Sequence, residues 1–200
     1  MWWYPLDEPL VLASRSPRRK VILEMAGIPF LQVPGDVIEV PLDDAPENVV
    51  QHWARRKAES VLNSGKVPPD NPVLGADTMV FLKDRLLGKP ADRKEAADML
   101  GILSGRWHSV YGGVCFLYRP LGLELKLCER TDVKFRRLEN EEIQAYVETG
   151  EPLDKAGSYG IQGYGSMLVE KIEGCFFNVM GLPVSRFVQE IRAGLKKRVQ

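Results

Sequence analysis

The chain has 200 residues, of which 27 are basic and 27 acidic, so its formal net charge is zero. This length is enough to bury a hydrophobic core, and we expect a single domain. Zero net charge argues against a dedicated nucleic-acid-binding protein, because such proteins bind through a basic surface that displaces counterions. A small anionic ligand remains compatible with this charge.

The N-terminal residues, the lengths of the apolar runs and the cysteines indicate the cellular compartment and the kinds of metal site to expect. Met1–Pro5 has no basic segment of the kind that opens a secretion signal, and no apolar run reaches the roughly 18 residues of a membrane span, so we expect a cytoplasmic protein with no membrane partner. Cys115, Cys128 and Cys175 are odd in number and widely spaced, and the chain has two histidines. This spacing excludes the common zinc patterns and argues against a disulfide framework.

Strand-like and helix-like segments alternate along the first half of the chain, which is typical of an α/β protein. The apolar spacing predicts strands at residues 10–13, 29–34 and 73–82, and helices at 17–26 and 46–63. An acidic loop follows the second strand. We expect the third strand to be interrupted at Gly75–Thr78.

The second half continues the same alternation. A helix at residues 92–103 begins with an Asp92/Glu95 capping box, and two or three strands at 109–137 include a turn at 119–122. A helix at 139–149, a strand at 167–172 and an amphipathic helix at 183–197 complete the prediction.

The first candidate site lies where the first strand meets its helix. Ser16 is a good N-cap and Pro17 suits the first helical position, so free backbone N–H groups would point out of the helix end. Together with the guanidinium groups of Arg18 and Arg19, they could hold a phosphate or a carboxylate. The alternative is a capped helix whose arginines only solvate its first turn.

Asp77 is the second candidate, because an ionised carboxylate inside an apolar strand is costly to bury unless it is paired, binds metal or faces a cleft. Gly75 and Ala76 beside it would let a substrate approach the backbone, and Thr78 adds a hydroxyl. The alternative is a turn at a strand end, in which Asp77 bonds the local backbone.

Three further charged groups repeat this theme. Of the basic run Arg55–Lys57, only one side chain can turn inward from a helix fixed by its apolar residues. Lys89 lies on a stiff turn and could bind phosphate, or it is an ordinary loop lysine. Glu39 could complete a divalent-metal site with Asp77, although acidic loops are usually only solvated. The chain has neither a Walker A motif nor the glycine fingerprint of a Rossmann fold.

The glycine-rich segment Glu151–Gly163 is the last candidate. Its glycines, spaced three residues apart, suit a loop that brings backbone amides to a ligand, although a purely structural loop would look the same. Gln162 lies in this segment, and its amide both donates and accepts hydrogen bonds, as reading the edge of a nucleotide base requires.

Taken together, six segments in order resemble the Maf family of nucleoside triphosphate pyrophosphatases. They lie at residues 12–19, 75–78, 88–90, 103–110, 151–163 and 179–183. The resemblance implies the inosine-triphosphatase-like α/β fold, with a long bent mixed sheet, flanking helices and two lobes around a cleft. It predicts one Maf-like domain over residues 1–200, in which residues 1–9 are an extension outside the resemblance.

The resemblance also implies an activity, the hydrolysis of a nucleoside triphosphate to its monophosphate and pyrophosphate with Mg²⁺ or Mn²⁺. Asp77 takes the place of the family's general base. The family's other functional positions fall on Ser14, Arg19, Lys57 and Lys89 for phosphate, on Glu39 with Asp77 for metal, and on Arg18, Thr78 and Gln162 for substrate specificity. The last three residues are similar to those of the dTTP/UTP branch, for which CTP and modified pyrimidine nucleotides are further candidate substrates.

A competing hypothesis is a nucleotide-sensing regulator of cell division that does not turn its ligand over. Asp77 discriminates between the two, because a sensor has no use for an unpaired carboxylate that would repel the phosphates. A homodimer is one assembly compatible with the sequence, and no nucleic-acid partner is expected.

Overall fold

The computed structural model of the protein describes residues 4–199, so Met1–Trp3 of the predicted N-terminal extension and Gln200 lie outside the described residues. The strands are β1 (Leu10–Leu12), β2 (Phe30–Gln32), β3 (Val73–Leu82), β4 (Arg85–Leu87), β5 (Trp107–Tyr118), β6 (Leu123–Phe135) and β7 (Val169–Glu173). The α-helices are α1 (Pro17–Met25), α2 (Pro46–Leu62), α3 (Arg93–Leu103), α4 (Asn140–Glu148), α5 (Phe176–Met180) and α6 (Val184–Val199). Short 3₁₀ turns occupy Arg119–Leu121, Glu151–Asp154, Ala156–Ser158 and Gly163–Leu168.

The strands form one seven-stranded mixed sheet in the order β2-β1-β3-β5-β6-β7, with β4 paired to β3. β1 runs parallel to β2 and to β3, whereas β4 is antiparallel to β3 and β7 is antiparallel to β6. The predicted α/β class, a mixed sheet with helices, is therefore confirmed. No helix in the described part of the chain is long and apolar enough to cross a membrane.

The chain divides into two compact units. The first unit takes in residues up to Asp77, Gly112–Glu129 and residues from Gly181 onward, and the second takes in Thr78–Tyr111 and Arg130–Met180. Each has apolar residues packed together. Those of the first unit include Val11, Ala54, Ala58, Val73 and Cys115, and those of the second include Leu87, Leu100, Val133, Phe135 and Tyr159.

Two glycines bring α2 into direct contact with strands of the first unit. A Cβ atom on Gly75 of β3 would lie 1.9 Å from the carbonyl oxygen of Ala54, and one on Gly113 of β5 would lie 2.2 Å from that of Val50. Only glycine allows so close an approach of two backbones. The predicted interruption of β3 at Gly75–Thr78 is wrong, because the glycine accommodates the helix while the strand continues through Leu82.

The helix starts follow the sequence signals with two differences. Pro17 begins α1 after Ser16, but the Ser16 side chain makes no capping hydrogen bond. At α3 the Asp92 carboxylate accepts the N–H of Glu95 at 2.8 Å, as the capping box predicts. The Glu95 carboxylate instead accepts the N–H of Ala91 at 2.7 Å, one residue before the cap.

Candidate active site

The segment between β1 and α1 is organised around Ser14 and Arg19. The Arg19 guanidinium is buried, with Nε donating to the carbonyl of Gly181 at 2.9 Å and Nη1 donating to the Ser14 hydroxyl at 2.9 Å. Ser14 Oγ also accepts the N–H of Ser16 at 3.2 Å. Arg19 and Ser14 therefore lie together at this helix start, and Ser14 rather than Ser16 makes the hydrogen bonds that hold the segment.

The Arg19 guanidinium interacts electrostatically with Asp77 and Glu39 in the first unit. Burial is the largest influence on the Arg19 guanidinium and lowers its pKa, while attraction to Asp77 and Glu39 raises the pKa and Arg18 lowers it further. A buried cation that is held only by a carbonyl and a hydroxyl keeps its charge and can attract an anionic ligand. Arg18 itself is half-buried on the same turn of α1.

Lys57 connects the two carboxylates that the sequence assigns to metal. Its Nζ lies 2.6 Å from Asp77 Oδ1 and 2.6 Å from Glu39 Oε1. The Lys57 side chain is 17% exposed and that of Asp77 is 7% exposed, whereas that of Glu39 is 45% exposed. Because the close approach at Gly75 seats α2 on β3, Lys57 is the inward member of its basic run, while Arg55 pairs with Glu124 instead.

The second oxygen of Asp77 has no hydrogen-bond partner within the part of the chain that the structure describes. Asp77 Oδ2 is buried, and the side chain pairs with Lys57 through Oδ1 alone. Asp77 is therefore not the local turn of the alternative interpretation. The expectation of an unpaired carboxylate is wrong for Oδ1 and holds, among the described residues, only for Oδ2. A buried anionic oxygen without a partner is unfavourable unless a ligand, a water or a cation satisfies it. This atom is the strongest single sign of a reactive site in the first unit.

The residues also fit a weakly held divalent cation. Among the described residues, no group of three or more histidine, cysteine, aspartate or glutamate side chains could hold a metal ion by itself. Mg²⁺ is commonly held by one or two carboxylates together with substrate phosphates and water rather than by a complete protein cage. Glu39 and Asp77, which share Lys57, are a donor set of that kind.

The second unit carries the remaining predicted residues on segments that contact one another. Thr78 is half-buried on β3, while Lys89 and Gln162 are exposed in loops. The Gly157 N–H donates to the carbonyl of Gly88 at 3.0 Å, which ties the loop of Lys89 to the glycine-rich loop. A Cβ atom on Gly157 would lie 2.9 Å from a methyl group of Val80, so the glycine-rich loop also packs against β3.

Several backbone amides of the glycine-rich loop are used inside the loop. The N–H groups of Tyr164 and Gly165 donate to the carboxylate of Glu151 at 3.0 and 3.1 Å, and that of Gly160 donates to the Tyr146 hydroxyl at 3.1 Å. These amides have a structural role, as the alternative of a purely structural loop predicts. Sequence reasoning assigned no role to Glu151, although this residue begins the segment, because only the folded loop brings its carboxylate close to these amides.

His108 is buried in the second unit beside the same loop. Its Nε2 lies 2.8 Å from the Tyr159 hydroxyl, and its ring packs edge-on against Phe135. Burial lowers the pKa of His108 to about 4, so the imidazole is neutral near pH 7. A neutral histidine in this environment serves packing and hydrogen bonding rather than proton transfer.

A family model described as Maf-like protein matches residues 9–194 of the chain. The chain belongs to the Maf family. A protein named dTTP/UTP pyrophosphatase from Bacillus anthracis (strain CDC 684 / NRRL 3495) is 46% identical over 184 residues, which are 92% of this chain and 94% of the relative. Relatives of the same name from Bacillus cereus (strain AH820) and Bacillus thuringiensis subsp. konkukian (strain 97-27) are also 46% identical, with the same coverage.

Proposed function

We infer that this Maf-family chain hydrolyses dTTP and UTP to the monophosphate and pyrophosphate. The buried, unpartnered Oδ2 of Asp77, next to Lys57 and near Arg19, is the observation that carries the hydrolytic part of the inference. The choice of substrate rests on relatives named dTTP/UTP pyrophosphatase that align with 92% of the chain. The enzyme is therefore a nucleoside triphosphate diphosphatase.

Asp77 acts as the general base. Its Oδ1 is held by Lys57 at 2.6 Å, which fixes the carboxylate on β3 and leaves Oδ2 available to accept a proton from water. The oriented water attacks the α-phosphorus in line with the leaving pyrophosphate. A positioned general base contributes typically 10²- to 10⁴-fold, roughly 3 to 5 kcal/mol of the barrier.

Arg19, Lys57, Lys89 and the Ser14 hydroxyl bind the phosphates. Arg19 needs little rearrangement, because Gly181 and Ser14 already hold its guanidinium. Fixed donors of this kind stabilise the charge that builds on the leaving pyrophosphate without first having to reorient, and such stabilisation is usually the largest contribution to phosphoryl-type transfer.

Glu39 and Asp77 would hold a divalent cation, Mg²⁺ or Mn²⁺. Such an ion supplies neutralisation of the triphosphate oxygens. Lys57 contacts both carboxylates and holds their side chains together in the protein itself, and attraction to the nearby Arg19 offsets the negative charge that Lys57 leaves. This arrangement favours an ion that arrives with the substrate over one that the fold needs for stability.

Arg18, Thr78 and Gln162 read the base. Thymine and uracil present a carbonyl, an N–H and a second carbonyl, so their partners must offer donors on either side of an acceptor. An arginine supplies donors, a glutamine amide supplies one of each, and a threonine hydroxyl serves as either. CTP and modified pyrimidine nucleotides are further candidate substrates under the same proposal. Cytosine carries an unprotonated N3 and an amino group on this edge, so the glutamine amide and the threonine hydroxyl would meet it in their opposite hydrogen-bonding roles.

The location, domain organisation and partners of the enzyme are further parts of the proposal. We propose a cytoplasmic location, a single domain over residues 1–200, and neither a nucleic-acid nor a membrane partner. Zero net charge supports the absence of nucleic acid. A homodimer is the assembly we propose to test first, by measuring the molar mass in solution.

A panel of canonical and modified triphosphates, assayed for pyrophosphate release, tests the function. The expected result is that dTTP and UTP give the highest kcat/KM, with ATP and GTP far behind. A preference for 7-methyl-GTP would overturn the substrate assignment. Tight binding of nucleotides without any turnover would instead support the nucleotide-sensing regulator of cell division.

A further inference from the structure

Gly160 and Gly165 bring the two ends of a short loop at the end of the glycine-rich segment into contact. A Cβ atom on Gly165 would lie 2.2 Å from the carbonyl oxygen of Gly160, so the backbones of these residues are in direct contact. Between them, Ile161 is buried and Gln162 is exposed. The buried isoleucine anchors this short loop, and the glutamine projects from it into solvent.

One carboxylate and one hydroxyl fix both ends of this loop. The Oε2 atom of Glu151 accepts the N–H of Tyr164 at 3.0 Å, and Oε1 accepts the N–H of Gly165 at 3.1 Å. The Tyr146 hydroxyl donates to the same Oε1 at 2.8 Å and accepts the N–H of Gly160 at 3.1 Å. Hydrogen bonds to an ionised acceptor are stronger than those between neutral groups.

The Glu151 carboxylate also lies directly beneath the peptide that follows Gln162. Gly163 has a φ of +68°, and a Cβ atom there would lie 2.6 Å from Glu151 Oε2. Among the amino acids, only glycine has no Cβ atom and can adopt this backbone conformation so close to a carboxylate. The backbone on the C-terminal side of Gln162 is therefore set by its contact with Glu151.

We propose that Glu151 is a positioning residue that makes Gln162 selective for the pyrimidine base. The inference rests on the proposed function, in which Gln162 reads the base. Hydrogen bonds weaken steeply when donor and acceptor are misaligned, so an exposed glutamine discriminates between bases only if its backbone is held still. The carboxylate oxygens of Glu151 hold loop amides and a tyrosine hydroxyl, which is how it acts on selectivity without a role in the hydrolysis.

Glu151→Gln is the direct test. The amide has only one oxygen, so its NH₂ group faces either the N–H of Tyr164 or that of Gly165, and one anchor is lost. The ratio of kcat/KM for dTTP to that for ATP falls on the order of tenfold, the value of about one hydrogen bond to the base. The loss falls mainly on KM for dTTP, because Asp77 and its cations are untouched.

Glu148→Gln is the matched control. It makes the same change of charge three residues earlier in the chain, at an exposed side chain in the last turn of α4. This variant keeps the wild-type ratio of dTTP to ATP. An equal fall in the ratio for both variants would show that charge alone is responsible and would overturn the proposal.

The double variant with Gln162→Ala separates positioning from general support of the fold. Because Glu151 acts through Gln162, its substitution lowers the ratio no further once Gln162 is alanine. An additive loss, or an equal loss of kcat/KM for every triphosphate, contradicts the proposal. Should Glu151→Gln fail to fold, Tyr146→Phe decides, since it removes only the hydroxyl that joins Glu151 to Gly160, and a smaller fall in the same ratio is expected.

The outcomes distinguish this inference from the function on which it rests. If the wild-type enzyme shows no preference for dTTP and UTP, the proposed function fails and this inference fails with it. If the wild type has the preference and both Glu151→Gln and Tyr146→Phe retain it in full, only the positioning role of Glu151 is refuted.

Discussion

The two sets of proposed site residues are held in different ways. In the first unit, Arg19, Lys57 and Asp77 are largely buried and are fixed by charged hydrogen bonds, including those from Arg19 to Ser14 and from Lys57 to Asp77. In the second unit, Gln162 is exposed, and hydrogen bonds to the loop backbone hold the residues that follow it. Phosphates are common to all nucleoside triphosphates and the base is not. On the proposed roles, we therefore expect mutations to separate turnover from selectivity.

Removing divalent metal has the largest expected effect. Exhaustive chelation lowers pyrophosphate release to background, and Mg²⁺ restores it, because the triphosphate charge is no longer neutralised. The melting temperature without nucleotide stays unchanged, since Lys57 already pairs with both Glu39 and Asp77 in the protein without metal. Full activity after chelation would refute the metal requirement, and a large fall in melting temperature would show a structural metal instead.

Asp77→Asn comes next. It removes the general base and lowers kcat by roughly 10²- to 10⁴-fold, while nucleotide binding is kept or tightened because a negative charge beside the phosphates is lost. Stopped assays of pyrophosphate release and a binding titration measure the two effects. Asp36→Asn is the control, since that carboxylate is 77% exposed and pairs with Arg15. Wild-type kcat in Asp77→Asn would refute the general base.

Gln162→Ala changes selectivity rather than turnover. Loss of one hydrogen-bonding partner of the base costs roughly 1 to 3 kcal/mol, which corresponds to about 5- to 150-fold in kcat/KM for dTTP. The value for a poor substrate such as ATP falls much less, so the ratio narrows. A uniform loss for every triphosphate would assign Gln162 to phosphate binding or to the scaffold.

Gly75→Ala tests how the first unit is positioned. Its methyl group would meet the Ala54 carbonyl at 1.9 Å, so α2 must move, and overpacking of this kind costs about 1 to 3 kcal/mol of stability. Because Lys57 moves with α2, kcat falls for all substrates while the dTTP preference is kept. Gly101→Ala in α3 is the control, with open space at its Cβ, and thermal unfolding shows it to be unchanged or more stable.

The smallest effect is a pH dependence of stability from His108. Its pKa is lowered to about 4 in the folded protein, so the unfolded chain takes up a proton below about pH 6.5 that the folded chain does not. The free energy of unfolding that the neutral imidazole contributes is fully present above about pH 6.5. It is lost as pH falls toward 4, by about 1 kcal/mol at pH 5.5. Denaturant unfolding of His108→Gln, compared with wild type, shows a shallower loss between pH 7.5 and about pH 5.5.

Local signals predicted much of the fold. The helical spacing at residues 46–63 and the turn at 119–122 correspond to α2 and to the 3₁₀ turn between β5 and β6. The interruption predicted in β3 did not occur, because Gly75 serves the packing of α2, which local sequence does not show. The short helix α5 was missed, since five residues give too little periodicity.

The sequence allowed candidate site residues to be proposed by type, but it did not show which of them pair with one another. Asp77 was singled out because a charge inside an apolar strand needs a partner. No local pattern shows that this partner is Lys57, which lies 20 positions earlier. Likewise, the bond from Arg19 to Gly181 spans 162 positions. Such contacts depend on how helices and strands pack, so a single sequence without the fold does not reveal them.

One comparison of rates tests the separation of turnover from selectivity most directly. It measures kcat/KM for dTTP and ATP with the wild type, Asp77→Asn and Gln162→Ala. We expect Asp77→Asn to lower both values by the same factor and leave their ratio unchanged, whereas Gln162→Ala narrows the ratio and largely spares the value for ATP. A changed ratio in Asp77→Asn, or an unchanged ratio in Gln162→Ala, would contradict the division of roles between these two regions.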